Sequence, residues 1–323
     1  MSASIAFSTA SVHGPEDYWL RDRRAARYWV EPQRTFTGDP HIDYGLSSFP
    51  VAIFQPNRPA ADTPIVVGLQ GIGAPMEFND FIVPQLLDMG IAVILFDTFM
   101  AGKRRVLRDQ SGDMLDDLGE MARRGYALSA DWMGTLFAAT ADDTRAALRL
   151  AAERHGLTSD RVALFGISFG ALLHSGAFSK HGVGRRLLCV GGHADLSAMA
   201  RGFSLSWFIR KAGPVLTSRP FRSILCRKIL GLAVLLDVLD SLVADPDKYR
   251  AVNPITYADQ VDGGRRARFL VGENDWIAAP REAERCAGQF GDGACYVVPD
   301  MSHDRFVEHT PYFLATQLGD WAW

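Results

Sequence analysis

Apolar positions along the chain alternate between short unbroken runs and stretches with helical spacing, and that rhythm predicts most of the architecture. The unbroken runs are Phe49–Phe54 (closing residues 46 to 55), Ile65–Leu69, Ile91–Phe96, Val162–Phe165, Leu187–Val190 and Ala294–Val298, and Ala267–Val271, interrupted by Arg268, reads as a further strand. Aliphatic runs of this length without polar alternation mark strands buried on both faces, the pattern of a parallel sheet. Between them lie helix-compatible stretches: Phe78–Met89, closed by Gly90; Leu136–His155, closed by Gly156; Phe169 to about His181; Pro280–Gln289; and Arg305–Leu318. A glycine just past the last apolar turn is a common helix stop. Strand, helix, strand at this spacing builds βαβ units. The expected fold class is therefore α/β, with a mostly parallel central sheet and helices on both faces.

Three stretches break the rhythm. Residues 1 to about 35 are polar and aromatic, with a charged cluster at Asp22, Arg23 and Arg24, and read as a helical or irregular N-terminal arm. Residues 100–131 form a charged excursion that opens with Lys103, Arg104 and Arg105, read as a solvated loop; its length implies a function or a short helix of its own. In residues 196–256, Ile229, Leu232, Leu236, Leu239 and Val243 recur at helical spacing, downstream of Arg201, Arg210, Lys211, Arg219, Arg222, Arg227 and Lys228. The expected division is an arm over 1–45, a core from 46–195 and 257–323, and an inserted helical cap or lid over 196–256.

Composition changes this picture little. With 323 residues, of which 48% are hydrophobic, the chain can bury a sizeable core. A net charge of −3 gives no global attraction to nucleic acid or an anionic membrane. The most apolar stretch, Ile229–Leu236, stops at Asp237, far short of a membrane span, so no stable membrane insertion is expected. The first residues carry no basic region or sustained apolar core, which gives a cytoplasmic expectation. Cys189, Cys226, Cys286 and Cys295 lack the paired spacing of a metal site or disulfide framework.

The chemistry centres on Gly166-Ile167-Ser168-Phe169-Gly170, between a buried strand and a helix. Glycines on both sides let the chain reverse sharply and expose the serine hydroxyl at the apex, at a positive helix end. A serine hydroxyl needs a base within hydrogen-bond reach and an acid to orient that base. The strand ending at Gly272 is followed by Glu273-Asn274-Asp275, and the strand ending at Val298 by Pro299-Asp300-Met301-Ser302-His303. Serine, carboxylates and histidine thus fall at the carboxyl edge of one parallel sheet, where ligands bind in such folds.

With these elements in this order, the sequence resembles the α/β-hydrolase superfamily from about residue 46 onward. Asn253-Pro254-Ile255-Thr256 and Val271-Gly272-Glu273-Asn274-Asp275 are most similar to the dienelactone hydrolase and prolyl-oligopeptidase-like esterases. The resemblance implies Ser168 as nucleophile, His303 as general base and then acid, and Asp275 as the orienting carboxylate, with Glu273 and Asp300 as nearby alternatives. It implies an oxyanion hole from the N–H of Phe169 and that of Gly71 or Ile72, in a loop where Gln70 stands in place of the family's common histidine. His193 and Asp195 follow a strand end and could border a pocket, but as a pair they lack further metal ligands. Asp97 reads as a loop or capping residue.

The expected activity is hydrolysis of a carboxylic ester or thioester through an acyl-enzyme, with no cofactor and no metal. The expected partner is a small-molecule ester or acyl substrate, with no nucleic acid; a homodimer is left open. The rival readings are an acyltransferase or biosynthetic thioesterase using the same three residues, and a catalytically silent ligand-binding scaffold.

Overall fold

The structure, a computed structural model, describes residues 11–107, 113–126, 128–129, 131–207, 222–261, 265–291 and 293–305. Among them, nine strands form one sheet in the order β1-β2-β3-β5-β4-β6-β7-β8-β9. The strands are β1 (Ser11–Leu20), β2 (Arg23–Glu31), β3 (Phe49–Phe54), β4 (Ile65–Leu69), β5 (Ala92–Phe96), β6 (Val162–Ile167), β7 (Arg186–Val190), β8 (Arg266–Gly272) and β9 (Ala294–Val298). From β5 through β9 every neighbouring pair is parallel, and β1, β2, β3 and β5 pair antiparallel. This is the mixed, mostly parallel sheet that the unbroken apolar runs predict.

The α-helices among the described residues are α1 (Pro40–Ser47), α2 (Val83–Asp88), α3 (Met114–Arg123), α4 (Trp132–His155), α5 (Phe169–Ser179), α6 (Leu196–Trp207), α7 (Arg222–Ala244) and α8 (Pro280–Gln289). Alternate strand residues feed two cores, one on each face of the sheet. Val67, Ile94, Leu164, Leu187 and Phe269 pack with α4, α5 and α8 on one face. Val66, Val93, Phe165, Leu188 and Leu270 pack with α2 on the other. Side chains on successive strand residues point to opposite faces, so a strand covered on both sides must be apolar at every position.

Two expectations are corrected. Residues 11–31 are not a helical or irregular arm but a hairpin, β1–β2, that extends the sheet through β3. Its outer strand is exposed and carries the charges that blunt a sheet edge; Arg24 pairs with Asp17 and Arg27 with Glu16 across the hairpin. The helix read over Phe78–Met89 is a 3₁₀ turn at Met76–Asn79 followed by α2. Pro84 sits in the first turn of α2, where its missing N–H costs nothing but prevents an earlier turn from running through. Helix α4 begins four residues before the expected start and ends, as read, at a left-handed Gly156 (φ 67°). The helix expected over Arg305–Leu318 lies, past Arg305, outside the described residues, as do residues 208–221 of the inserted segment. No helix among the described residues is long and apolar enough to cross a membrane.

Candidate active site

Ser168 caps α5 with φ 51° and ψ −114°, a backbone conformation in which a non-glycine residue is strained. The turn is held by the Ser168 N–H, which donates to the Val190 carbonyl at 2.8 Å. The flanking glycines have a steric cause. A Cβ on Gly166 would lie 2.5 Å from the Ala171 nitrogen, and one on Gly170 would lie 2.5 Å from the Gln70 carbonyl oxygen. Strand, turn and helix therefore close on one another, and on the end of β4, only when both positions lack a side chain.

His303 approaches from the segment after β9. Its Nε2 lies 2.9 Å from the Ser168 Oγ, and its Nδ1 lies 2.9 and 3.1 Å from the two carboxylate oxygens of Asp275. Asp275 is fully buried at its side chain and also accepts the N–H groups of Ile277 and Ala278 at 3.0 and 2.9 Å. Both backbone donors reach Oδ1 and His303 approaches Oδ2 at 2.9 Å, so each oxygen of the buried carboxylate is held. The arrangement orders the protons: Nδ1–H donates to Asp275, leaving Nε2 to accept the serine O–H. Of the alternative carboxylates, Glu273 is exposed and accepts the Asp300 N–H, and Asp300 is exposed at a left-handed position (φ 54°).

The acid and histidine segments are stitched together directly. The Glu273 N–H donates to the Val298 carbonyl and the Asn274 N–H to the Met301 carbonyl, each at 2.9 Å. A Cβ on Gly272 would come within 2.1 Å of the Met301 oxygen, so this close approach depends on glycine. Gly191 (φ 55°), at the end of β7, backs the imidazole; a side chain there would begin 3.4 Å from the ring.

The loop after β4 faces the serine. A Cβ on Gly71 would stand 3.6 Å from the Ser168 Cβ, and Ile72 lines the cavity beside it. Phe169 opens α5, where the first backbone N–H groups have no partner within the helix. The loop is anchored behind by Asp97, whose carboxylate accepts the N–H of Met76 at 2.8 Å and that of Lys103 at 2.7 Å. Burial raises the Asp97 carboxyl to about 6. Asp97 is thus the loop residue expected.

The solvated reading of the 103–105 cluster fails for two of its three residues. Lys103 is exposed, but Arg104 and Arg105 are buried. Arg104 donates to the Leu46 carbonyl and to Asp143, and its guanidinium lies 3.6 Å from the centre of the Phe99 ring. Burial lowers that guanidinium to about 10, and Arg34 shares the same Asp143 carboxylate at 2.6 Å. Arg105 pairs with the buried Asp117 and so ties α3 to the body. His193 and Asp195 are likewise structural. Asp195 accepts the N–H groups of Ser197 and Ala198 and pairs with Asn253 and Arg285, while burial lowers His193 to about 4. Among the described residues no group of His, Cys, Asp and Glu is placed to hold a metal ion.

Ser168 opens onto an apolar cavity of about 110 Å³. Its floor includes Ile72, Phe169 and Leu172, and its roof comes from α3, α6 and α7. A helical cap was expected over 196–256; what sequence reasoning missed is that α3, within the 100–131 excursion, joins the same roof and packs backbone to backbone on α7. A Cβ on Gly119 would lie 2.0 Å from the Arg227 oxygen, and one on Gly231 would lie 1.9 Å from the Leu115 oxygen. Glycine in both helices was the available signal.

The topology, with Ser168, Asp275 and His303 at the carboxyl edge, defines the α/β-hydrolase fold. Solved structures with this fold include a cold-adapted esterase from an Arctic intertidal metagenomic library (TM-score 0.54, 13% identity, 95% of this chain and 97% of that one). An esterase of Pyrococcus furiosus is similar at TM-score 0.51 and 13% identity, over 94% of this chain and 90% of that one. An acylaminoacyl peptidase of Pyrococcus horikoshii gives TM-score 0.56 and 10% identity over 91% of this chain, which spans 45% of the peptidase. No protein-family model matches the sequence, and no curated protein matches it.

Proposed function

We propose that the protein is a serine hydrolase that cleaves a carboxylic ester or thioester through an acyl-enzyme. The observation that carries this reading is the single imidazole of His303 bridging Ser168 at 2.9 Å and the buried Asp275 at 2.9 Å. The esterases of the same fold support it. In this reading His303 takes the Ser168 proton as the oxygen attacks the carbonyl carbon, and Asp275 stabilises the imidazolium that forms. The N–H of Phe169 and that of Gly71 or Ile72 receive the negative charge on the carbonyl oxygen. The leaving group then takes the proton from His303, and water activated by the same imidazole hydrolyses the acyl-serine. The domain division follows: residues 196–256 serve as the cap, with α3 as a fixed part of the same roof.

The test is hydrolysis of 4-nitrophenyl butyrate together with fluorophosphonate labelling, in wild type, Ser168→Ala and Asp275→Asn. Ser168→Ala abolishes labelling and lowers kcat by roughly five to six orders of magnitude. Asp275→Asn lowers kcat by about 10⁴, because the imidazole loses the partner that fixes its tautomer. A folded wild type that neither turns over nor labels refutes the hydrolase reading and favours the silent scaffold. Efficient capture of the acyl group by an added alcohol in preference to water moves the assignment to acyl transfer.

A further inference from the structure

We infer that the preferred substrates carry a short, uncharged hydrocarbon acyl group of about four to six carbons, held in the cavity beneath α3 and α7. This rests on the hydrolase reading above and specifies its substrate class. The first step concerns which side of the ester enters the cavity. The leaving oxygen must meet His303, which supplies its proton. His303 does not line the cavity, whereas Ser168, Phe169 and Ile72 do. The leaving group therefore departs on the His303 side, and the acyl group occupies the cavity.

The second step concerns its chemistry. Among the described residues no charged side chain lines the cavity, and its only hydroxyls are those of Ser129 and Ser168. A carboxylate or ammonium on the acyl chain would meet no charged partner among these residues, and none of their contacts offsets the cost of burying it. The third step is size. The volume is about 110 Å³, and a dry cavity of about 150 Å³ lined by Leu, Ile and Phe accepts benzene. A chain of four to six carbons fills the space that the described residues enclose, and the further methylenes of a long fatty acyl chain lie outside it. Met100, Met114, Met133 and Met199 in the wall are unbranched and polarizable, so the cavity sets volume more strictly than shape. Branched or ring acyl groups of similar volume are then accepted alongside linear ones.

The experiment measures kcat/KM for 4-nitrophenyl acetate, butyrate, hexanoate, octanoate and palmitate. It adds the mono-4-nitrophenyl ester of glutaric acid, whose acyl chain matches pentanoate but ends in a carboxylate. The expected result is a rise of about 4-fold per added methylene up to hexanoate, a fall beyond it, and a glutarate ester at least 100-fold poorer than its neutral neighbours. Ala200→Leu fills the cavity and moves the optimum toward acetate. Leu242→Ala enlarges it and moves the optimum past hexanoate, so the two variants shift in opposite directions. If Ser168 labels and acetate is cleaved, but hexanoate is no better than acetate or palmitate is best, the acyl assignment falls and the hydrolase reading stands. Absence of both labelling and turnover removes the hydrolase reading, and this inference with it.

Discussion

The crossing of α3 and α7 makes a prediction whose sign alone is decisive. An alanine in place of an unobstructed helical glycine stabilises a protein by about 0.5–1 kcal/mol, because it restricts the unfolded chain. At Gly231 the added methyl would sit 1.9 Å from the Leu115 carbonyl oxygen, where ordinary contact begins near 3.4 Å. The obstacle is backbone, so the helices must separate by about 1.5 Å or the crossing must tilt. Overpacking of this kind costs about 1–3 kcal/mol. Gly231→Ala is therefore expected to destabilise the protein by about 1–2 kcal/mol net, seen as a melting temperature lower by roughly 2–5 °C and a reduced urea midpoint. Gly288 in α8 has nothing within 4 Å of a built Cβ, so Gly288→Ala serves as the control and melts at or above wild type. Gly119→Ala obstructs the same crossing from the other side, 2.0 Å from the Arg227 oxygen. One separation relieves both clashes, so the double variant costs less than the sum of the singles. If Gly231→Ala is as stable as Gly288→Ala, the two helices do not meet backbone to backbone, and the account of the roof is wrong.

Two further predictions test the body beneath the site. Asp143 is fully buried between Arg34 and Arg104, so Asp143→Asn leaves two buried guanidinium groups without their carboxylate; a loss of about 3–5 kcal/mol is expected in urea unfolding, and a loss below 1 kcal/mol would contradict the pairing. His174 is fully buried, hydrogen-bonds the Phe165 carbonyl through Nδ1, and is lowered from 6.5 to about 3 by burial. Its folded value lies below its unfolded one, so the unfolded chain takes up the proton first as pH falls. Stability due to this residue is complete above pH 6.5 and is lost toward pH 3, by about 1.4 kcal/mol per pH unit in that window. In His174→Asn the slope of stability against pH between 6 and 4 is smaller by close to one proton; an unchanged slope would show that His174 is not buried neutral.

What was legible in the sequence follows from the range of the forces that shape each part. Ser168, Asp275 and His303 each sit a few residues beyond an unbroken apolar run, so strand pattern and turn chemistry together gave their edge of the sheet. Among the carboxylates near His303, the resemblance favoured Asp275 through its spacing from Gly272 and left Glu273 and Asp300 as neighbours; burial separates them, since Asp275 is enclosed and Glu273 and Asp300 are exposed. Charge clusters misled for a related reason. Arg104 and Arg105 look like a solvated face because their partners are distant in sequence, Asp143 by 39 positions and Asp117 by 12. The β1–β2 hairpin was hidden because an exposed edge strand needs no apolar alternation. The helices of the roof were legible, α7 from its apolar spacing and α3 as a short helix of the excursion; their crossing was not, because contact between helices at glycines adds nothing to the apolar period of either.

In the proposed function, reactivity and selectivity are carried by different bonds. The reactive groups are fixed by short backbone links at the sheet edge: Ser168 to Val190, Asp275 to Ile277 and Ala278, and the Asn274 N–H to Met301. None of these passes through the roof. The roof is fastened by the Arg105–Asp117 pair, by Lys228 to Asp113, and by the glycine crossing. Separating α3 from α7 enlarges the space above Ser168 while leaving every link among Ser168, His303 and Asp275 in place. In the proposed reaction, changes at the crossing thus act on the chain length of the acyl group accepted before they act on the attack of Ser168.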